Sequence, residues 1–587
     1  MSYRAPLEDI RLALAAAGAT AAADPDLTSA VLEGAARFAE DVLAPLDRIG
    51  DQQPARLIGE TVVTAPGWDA AYRAFVDGGW PSLSGPEEFG GQGLPQVLAS
   101  SVIEIWSSAN LAFGLCPLLT QGAVDALRAA ASPELKARYL PKMVSGEWTG
   151  TMNLTEAHAG TDLGALKTRA VPQADGSYRI FGTKIYITYG DHELASNIIH
   201  LVLARCPDAP AGTRGISLFV VPKFLVNPDG SLGARNDLRA TGLEHKLGIH
   251  GSPTCVMTYG ERDGAIGHLV GELGRGLNHM FVMMNRARLD VGMQGVATAE
   301  RATQRALAYA RERRQGRSAT TPTGAMALIA DHPDIRRTLM QMRALTAAAR
   351  ALCLVTAQAL DDSDRSLESA TRNDAADLAA LLTPVAKAFS TDAAVEVASL
   401  GVQVHGGSGF IEATGAAQHY RDARILPIYE GANGVQAIDL VTRKLPLQGG
   451  RVVHAFMAGL DAQTAEIAAS NWPGLAPLAV NLAEANAALR EATDWLGRQL
   501  PTNPEAALAA ATPYLRLFGI AAGGSYLGAA ALQSARSGAA SAADRRRLAI
   551  GAFFAASLSP GARALAKVVM DGATHLPAAG SDWQGLD

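Results

Sequence analysis

The sequence predicts a multidomain protein of α and β class, in which a helical section, a β section and a longer helical section follow one another. Apolar residues recur at helical spacing from Leu7 to about Met143. From Trp148 the pattern changes to short β-branched runs bounded by proline and glycine. Helical periodicity returns at Leu277 and continues to the C-terminus. A chain of 587 residues has room for about four domain-sized units.

An N-terminal helical domain is expected over residues 1–150. Its alanine-rich stretch 12–23 is similar to a secretory signal, but Glu8 and Asp9 cancel the positive charge that such a signal needs. We therefore expect an ordinary helix there. Residues 80–95 contain so many glycines and prolines that they predict a loop, either functional or a plain helix–helix connection. Helix breaks are expected at Pro25, Pro45, Pro66 and Pro133.

A central β domain, closed like a barrel or open like a sandwich, is expected over residues 151–275. Its strands are predicted from runs rich in β-branched and aromatic residues between turn residues. These runs are 178–180, 185–187, 198–203, 216–221 and 255–259.

Two further helical domains are expected, over residues 276–447 and 448–587. In the second, apolar residues from Leu478 to Leu496 mark one face of a helix, which indicates core packing. A glycine-rich loop is expected at 403–410. Long helices are predicted at 277–314, 332–360, 374–400 and 428–444.

Composition excludes several classes of protein. Hydrophobic residues make up 48% of the chain and the net charge is −6, which argues against a general nucleic-acid binder. The four cysteines lie far apart without CxxC spacing, so we expect reduced thiols, a cytoplasmic protein and no metal site. We find no run of about eighteen strongly apolar residues, and therefore expect no membrane span.

Glu430 is the residue on which the functional prediction depends. It lies between Tyr429 and Gly431, just before an apolar pattern typical of an amphipathic helix. A glycine after the acid lets a ligand approach the main chain closely. An acid in apolar surroundings can have its pKa raised and act as a general base. Taken alone, the segment is more typical of a solvated glutamate at a helix start, and the functional interpretation depends on the other motifs of the chain.

Five segments, in order along the chain, resemble motifs of the acyl-CoA dehydrogenase family. They are 153–162 (NLTEAHAGTD, like the flavin-loop motif TEPxAGSD), 182–188 (GTKIYIT, like GxKxWIT), 311–316 (RERRQG, like ERxxFG), 403–407 (QVHGG, like QxxGGxG) and 428–432 (IYEGA, like the catalytic IYEGT). The resemblance implies an N-terminal helical domain, a central β-barrel or sandwich domain and a C-terminal four-helix bundle. Segments 3–11 and 242–253, with the section after residue 450, are similar to a larger branch that carries an extra C-terminal helical domain and includes methylthiopropionyl-CoA dehydrogenases.

The resemblance implies FAD as the cofactor. In the family, the loop matching 152–161 lies against the flavin, Tyr186 would flank the ring, and Thr188 would reach N5. Regular alternation along the strand would place Tyr186 and Thr188 on one face. Arg313 and the 403–407 loop would bind the FAD pyrophosphate, in the family from a neighbouring subunit. The implied FAD-binding residues are Met152, Leu154, Thr155, Gly160, Thr161, Tyr186, Ile187, Thr188, Arg313, Gln403, Val404, Gly406, Gly407, Ala432 and Gly434.

The resemblance also implies a substrate site. Its residues are Thr161, Arg288, Tyr429, Glu430 and Gly431. Some relatives carry the base one position before the residue that matches Arg288, but Ala287 occupies that position here. Ala432 departs from the family pattern, where a flavin-contacting threonine is usual, and the lost hydroxyl contact should weaken FAD binding by about 1 kcal/mol.

The implied reaction is α,β-dehydrogenation of an acyl-CoA thioester to the trans-2-enoyl-CoA. Glu430 would remove the α-proton, and its main-chain N–H would help to stabilise the enolate, as in an oxyanion hole. Electrons would pass to an electron-transferring flavoprotein, and a homodimer is expected for chains with the added domain. Two alternatives stay open. One is an acyl-CoA oxidase that uses O₂, and the other is a DNA-associated flavoprotein of the same fold, for which the only basic cluster is 545–547.

Overall fold

The computed structural model of the chain describes residues 3–19, 24–319, 325–470, 472 and 474–576. The predicted order of helical, β and helical sections is confirmed. The helices are α1 (Leu7–Ala16), α2 (Pro25–Phe38), α3 (Ala44–Gln52), α4 (Trp68–Asp77), α5 (Gln96–Ala109), α6 (Leu111–Ala130), α7 (Pro133–Val144), α8 (Gly276–Glu312), α9 (Pro333–Arg365), α10 (Ser369–His405), α11 (Ala416–Ala423), α12 (Asn433–Asp439), α13 (Arg451–Ala468), α14 (Ala479–Thr502), α15 (Pro504–Ala509), α16 (Ala511–Arg536), α17 (Ala542–Ser557) and α18 (Gly561–Asp571).

The strands lie between α3 and α8. They are β1 (Arg56–Ile58), β2 (Thr61–Val63), β3 (Trp148–Asn153), β4 (Arg169–Pro172), β5 (Tyr178–Thr188), β6 (Asn197–Arg205), β7 (Ile216–Pro222), β8 (Phe224–Val226), β9 (Leu232–Arg235), β10 (Leu238–Leu243), β11 (Thr254–Tyr259) and β12 (Ala265–Val270). The five predicted runs all fall within strands, although 178–180 and 185–187 belong to the single strand β5. The hairpin β1–β2 was not predicted.

The chain divides into two compact units, and each combines segments that are distant in sequence. The first unit contains residues 1–7, 21–305 and 405–426, and the second contains 8–20, 306–404 and 427–587. The predicted domain boundaries near residues 150, 275 and 447 stay a prediction beside this grouping.

The β domain of the first unit is closed. The main sheet has the order β10-β11-β5-β12-β7-β6-β3, and β4 pairs with both β5 and β6. Strands β5, β12, β7, β6 and β4 therefore form a ring, which is the barrel-like form of the two predicted alternatives. Buried apolar side chains fill it, among them Ile180, Val202 and Phe219. Burial of such side chains is the main favourable contribution to folding.

The helices of the first unit begin at recognisable caps. Asn110 accepts a hydrogen bond from the backbone N–H of Phe113 at the start of α6. Pro25 and Pro133 stand at the first position of α2 and α7, where proline costs no hydrogen bond. The prediction of a break at Pro45 is wrong, because a π-helical turn at Ala39–Leu43 joins α2 directly to α3.

In the second unit, the predicted apolar face of α14 is confirmed by the burial of Leu482, Leu489 and Leu496. The expected loop at 403–410 begins later than predicted, because Gln403 and Val404 lie in the last turn of α10 and a 3₁₀ turn follows at Gly406–Phe410.

Among the described residues, three helices are long and apolar enough, by length and composition, to cross a membrane, so the expectation that no such run exists is wrong. In the most apolar 18-residue window of each helix, taken in chain order, 78%, 78% and 83% of the window is buried within the protein. Buried core helices and membrane spans share this composition. The three are Pro333–Arg365, Ser369–Phe410 and Ala511–Arg536, and α17 with α18 passes the same test only as a bent pair.

Candidate active site

The predicted site residues fall into two groups, one in each compact unit. The first unit holds the residues at 152–161 and 186–188, with Arg288, Gly406 and Gly407. The second unit holds Arg313, Gln403, Val404 and the residues at 429–434. Each group is described by itself.

Glu430 lies in a turn that we call the catalytic turn, residues 429–432. The prediction that a helix begins at Ile428 is wrong, because α12 starts only at Asn433. Glu430 has φ +55° and Gly431 has φ +86°, and both values are incompatible with a right-handed helix. A glutamate in this region costs of order 1–3 kcal/mol and is held there by its surroundings. The half-buried Glu430 is thus presented by a strained backbone.

Lys387 of α10 fixes this turn by hydrogen bonds. Its side chain is fully buried, and Nζ donates to the carbonyl oxygen of Gly431 at 3.0 Å and to Oδ1 of Asn433 at 2.9 Å. Gln436 Nε2 donates to the same Gly431 carbonyl at 3.2 Å. Asn433 in turn donates to Thr391 Oγ1 and Asp392 Oδ1. The carbonyl end of the catalytic turn is therefore fixed by two side chains.

Tyr429 precedes the glutamate. Burial and the neighbouring charge of Glu430 raise the pKa of its hydroxyl well above the ordinary value. The phenol therefore stays neutral and remains a hydrogen-bond donor. After the turn, Gly434 has open space where a side chain would begin, and Ala432 is the residue before the first residue of α12.

The loop before the 3₁₀ turn at Leu163–Ala165 carries predicted flavin contacts of the first unit. We call residues 153–162 the flavin loop. It follows β3, and Met152 at the end of that strand is buried. Thr155 is half-buried, whereas Gly160 and Thr161 are exposed. The carbonyl oxygen of Thr155 accepts from the backbone N–H of Ile185 at 3.0 Å. This bond joins the loop to β5.

Tyr186, Ile187 and Thr188 end that strand. Strand β5 is not regular here, because its register with β11 shifts between Lys184 and Ile187. That Tyr186 and Thr188 share a face stays a prediction. Tyr186 has φ +61°, and Lys184 and Ile187, three residues apart, are both buried. A bulge of this kind re-aims a side chain. The ring of Tyr186 is 61% exposed and can serve as a flat surface for a ligand.

The remaining predicted residues lie at helix ends or inside α8. Arg313 follows α8 and Gln403 ends α10, and both are exposed, whereas Val404 is buried. Gly406 and Gly407 have open space around the main chain, as an anion-binding loop requires. Arg288 and Ala287 are buried in α8. Within the described ranges, no group of three or more His, Cys, Asp and Glu side chains could hold a metal ion.

Two buried lysines were missed by the sequence analysis. Lys387 interrupts the apolar run 381–389, and a lone charge inside such a run was the available signal. Lys184 stands in the motif at 182–188, yet only Tyr186, Ile187 and Thr188 of that motif were assigned roles. A fully buried charge needs a partner, so each lysine indicates a second group close to it.

Comparison with known families matches four consecutive segments of the chain. Models described as acyl-CoA dehydrogenase N-terminal, middle and C-terminal domains match residues 26–147, 151–261 and 274–445, and one described as acetyl-CoA dehydrogenase C-terminal like matches 452–579. The chain is 49% identical to 3-methylmercaptopropionyl-CoA dehydrogenase of Ruegeria pomeroyi, over 91% of each protein.

Two further similarities extend this result. A butyryl-CoA dehydrogenase of Syntrophomonas wolfei is 36% identical over 72% of this chain and 70% of its own length. The crystal structure of an acyl-CoA dehydrogenase complexed with FAD from Bacillus anthracis superposes with a TM-score of 0.75 at 20% identity, covering 93% of this chain and 88% of that one. At that identity the structural match shows the fold.

Proposed function

Since the chain belongs to the acyl-CoA dehydrogenase family and is an oxidoreductase of that family, we propose that it forms the α,β double bond of an acyl-CoA thioester with Glu430 as the base. The observation that carries this proposal is the catalytic turn. Glu430 stands on strained backbone beside a glycine, and buried side chains hold the turn in place. Strain of this kind accumulates at functional sites.

The family is FAD-dependent, and the residues of this chain suit that cofactor. The flavin loop offers main-chain groups and the hydroxyls of Thr155 and Thr161, and Tyr186 offers an exposed ring. Arg313 and the open main chain at Gly406 and Gly407 are donors of the kind that bind a pyrophosphate. When bound, FAD supplies the acceptor for the β-hydride. The other FAD-binding residues named from the sequence belong to the same proposal.

Glu430 takes the α-proton in this proposal. Its main-chain N–H donates to the thioester carbonyl, so that negative charge developing on that oxygen is stabilised. Since the carboxylate and this N–H belong to the same residue, one structural element supplies the base and part of the oxyanion site. The same proposal includes the other substrate-site residues named from the sequence, which are Thr161, Arg288, Tyr429 and Gly431.

The substrate of the Ruegeria pomeroyi relative, as its name states it, is the best first candidate for this chain: a short acyl-CoA with a methylthio group. Electron-transferring flavoprotein is the proposed electron acceptor, and a homodimer is the proposed assembly. The four cysteines are free thiols, which supports a reducing compartment such as the cytoplasm.

The DNA-associated alternative loses support from the basic cluster at 545–547. Arg546 pairs with Glu8 at 2.6 Å and lies 3.5 Å from Asp9. Arg545 donates to the carbonyl oxygens of Ala539 and Ala540. Both arginines therefore already bind groups within the protein, although binding to the phosphate backbone of DNA would require their side chains.

The reaction can be tested by anaerobic bleaching of bound FAD with a panel of CoA thioesters. Pentanoyl-CoA and 3-methylthiopropionyl-CoA have chains of the same length, so their rates isolate the effect of the sulfur atom. We expect both to bleach the flavin and the methylthio substrate to do so faster. Absence of bleaching by every thioester would contradict the proposed function. Rapid peroxide formation under air would instead favour the oxidase.

A further inference from the structure

Lys184 is a fully buried lysine in β5 whose ammonium faces the flavin loop. Nζ donates to the carbonyl oxygen of Leu154 at 2.9 Å and to Oε1 of Glu156 at 2.8 Å. Both acceptors belong to the loop, and the lysine is 28 to 30 residues away from them in sequence. A buried charge is tolerated only when it is paired and hydrogen-bonded, and the loop provides both.

Glu156 is equally well satisfied. Its carboxylate is 5% exposed and accepts from the backbone N–H of Lys167 at 2.7 Å, from that of Thr168 at 3.0 Å and from Thr168 Oγ1 at 2.6 Å. Reciprocal backbone hydrogen bonds of 3.0 Å between Glu156 and Ala159 close a tight turn beside it. Burial alone would raise the pKa of Glu156, but Lys184 and these donors outweigh burial and lower it to about 2.

These contacts connect two segments with different tasks. Leu154, Thr155 and Glu156 are bonded in succession to Lys184 and Ile185. The next residues of the same strand, 186–188, are the second segment proposed to contact the flavin. Lys184 therefore lies at the junction of the flavin loop and the strand end, and a shift of its ammonium would move one segment relative to the other.

A purely stabilising role accounts poorly for this arrangement. Replacing a buried ion pair by apolar side chains is often neutral or stabilising, because desolvation offsets the attraction between the charges. What such a pair does provide is a defined geometry, since both partners must meet at hydrogen-bond distance. Here the geometry defined is that of a ligand-binding loop.

We propose that Lys184 is a positioning residue for the flavin, which sets the placement of the flavin loop against the strand end at 186–188 through Glu156 and the Leu154 carbonyl. This inference rests on the proposed function, since FAD is the ligand that the two segments share. Lys184 contacts the loop and acts on the cofactor through it.

The chain offers a matched control in the same β domain. Lys223 lies 2.5 Å from Asp191 and donates to the carbonyl oxygen of His192 at 3.0 Å, so its chemistry resembles that of Lys184. Its acceptors lie outside the flavin loop. Lys223→Met therefore removes a largely buried ion pair whose partners are outside both segments, and Asp191 keeps Arg235 at 3.6 Å as a second cation.

The test measures FAD binding by the apo-protein through quenching of flavin fluorescence, together with the melting temperature of the apo-protein. We expect Lys184→Met to raise the Kd for FAD at least tenfold, and Glu156→Gln to raise it three- to tenfold. Lys223→Met should lower the melting temperature by a similar amount and leave the Kd within twofold of wild type. If Lys184→Met fails to fold, Glu156→Gln decides the question.

A pH series gives a second readout. Burial lowers the pKa of the Lys184 ammonium to about 8, although Glu156 opposes that shift. The other titratable group facing the pair is His158, whose Nε2 lies 3.5 Å from Glu156, so the series is run in a His158→Gln background. The Kd for FAD should rise as the pH passes through about 8, and this rise should vanish in Lys184→Met.

Two results would overturn the inference. One is an unchanged Kd in both Lys184→Met and Glu156→Gln. The other is an equal loss of FAD affinity in Lys223→Met at equal loss of melting temperature, because that would make the effect one of general stability. If the wild-type protein itself fails to bind FAD, the proposed function is wrong, and this outcome is distinct from either of the two.

Discussion

The flavin loop and the catalytic turn are both held by a fully buried lysine, yet they are constrained in different ways. Lys184 meets a carboxylate of the loop itself, and no residue at 154–161 has a positive φ angle. Lys387 meets a main-chain carbonyl and the Asn433 amide, and the turn above it contains two successive residues of positive φ. The first region is held through buried charge and the second through strained backbone.

The two regions should therefore respond to different perturbations. A loop held by an ion pair is sensitive to pH and to loss of a charge, because an unpaired buried charge is costly. A turn held in a left-handed conformation is sensitive to any side chain added at its glycine. The three predictions that follow separate the two regions by these properties.

Of the three, the largest effect is expected for Lys387→Met. The substitution removes the charged donor from the Gly431 carbonyl, which keeps only Gln436, and from Asn433 Oδ1. A hydrogen bond to a charged group contributes about 1.5–3 kcal/mol. A catalytic group displaced by about 1 Å can lose about 10²-fold in rate, so kcat should fall by that factor or more. FAD content, read from the flavin absorbance, should stay at the wild-type level.

Thr383→Val is the control for this variant. Thr383 is buried one turn earlier in α10 and its hydroxyl donates to the carbonyl oxygen of Ala379. We expect a modest loss of stability with an unchanged kcat. If Lys387→Met kept wild-type kcat, the catalytic turn would not depend on this lysine.

A smaller effect is expected from paired glycine substitutions. Gly431→Ala forces a side chain onto a residue at φ +86°, which should cost at least about 1 kcal/mol and lower kcat by roughly tenfold. Gly160→Ala in the flavin loop meets only Thr155 Cγ2, at 3.9 Å, and should stay within about 0.5 kcal/mol of wild type. Chemical denaturation and steady-state kinetics measure both, and equal losses would erase the proposed difference.

The smallest effect is expected from acid. The pKa of Glu156 is lowered to about 2 in the folded protein, against an ordinary value of 4.5. Its contribution to stability is therefore present above about pH 4.5 and is lost as the pH falls toward 2. Over this range wild type should lose about 0.5–1 kcal/mol more than Glu156→Gln, because solvent screens part of the attraction. If the free energy of unfolding fell equally with pH in wild type and in Glu156→Gln, the charge of Glu156 would contribute nothing to stability.

The sequence predicted the fold well where its signals were local. β-branched runs located β6, β7 and β11, and heptad-like spacing located the face of α14. The choice of Glu430 came from the resemblance of residues 428–432 to a catalytic motif, and its role stays a prediction. Apolar composition was misread in the expectation of no long apolar helices, since the described part of the chain contains three, each mostly buried within the protein.

The details of the site depend on contacts between residues distant in sequence. Lys184 and Lys387 lie 28 to 46 residues from the groups they bind, so no window of sequence displays the pairs. The late start of α12 follows from the positive φ of Glu430, which amphipathic spacing does not reveal. The bulge at Tyr186 likewise arises from pairing with β11.

The central claim is that Glu430 removes the α-proton, and Glu430→Gln tests it most directly. The amide keeps the size of the side chain and removes its basicity. In anaerobic stopped-flow mixing with an acyl-CoA that bleaches wild type, at matched FAD content, the account predicts a loss in bleaching rate of about 10³-fold or more. Bleaching of Glu430→Gln at the wild-type rate would contradict it.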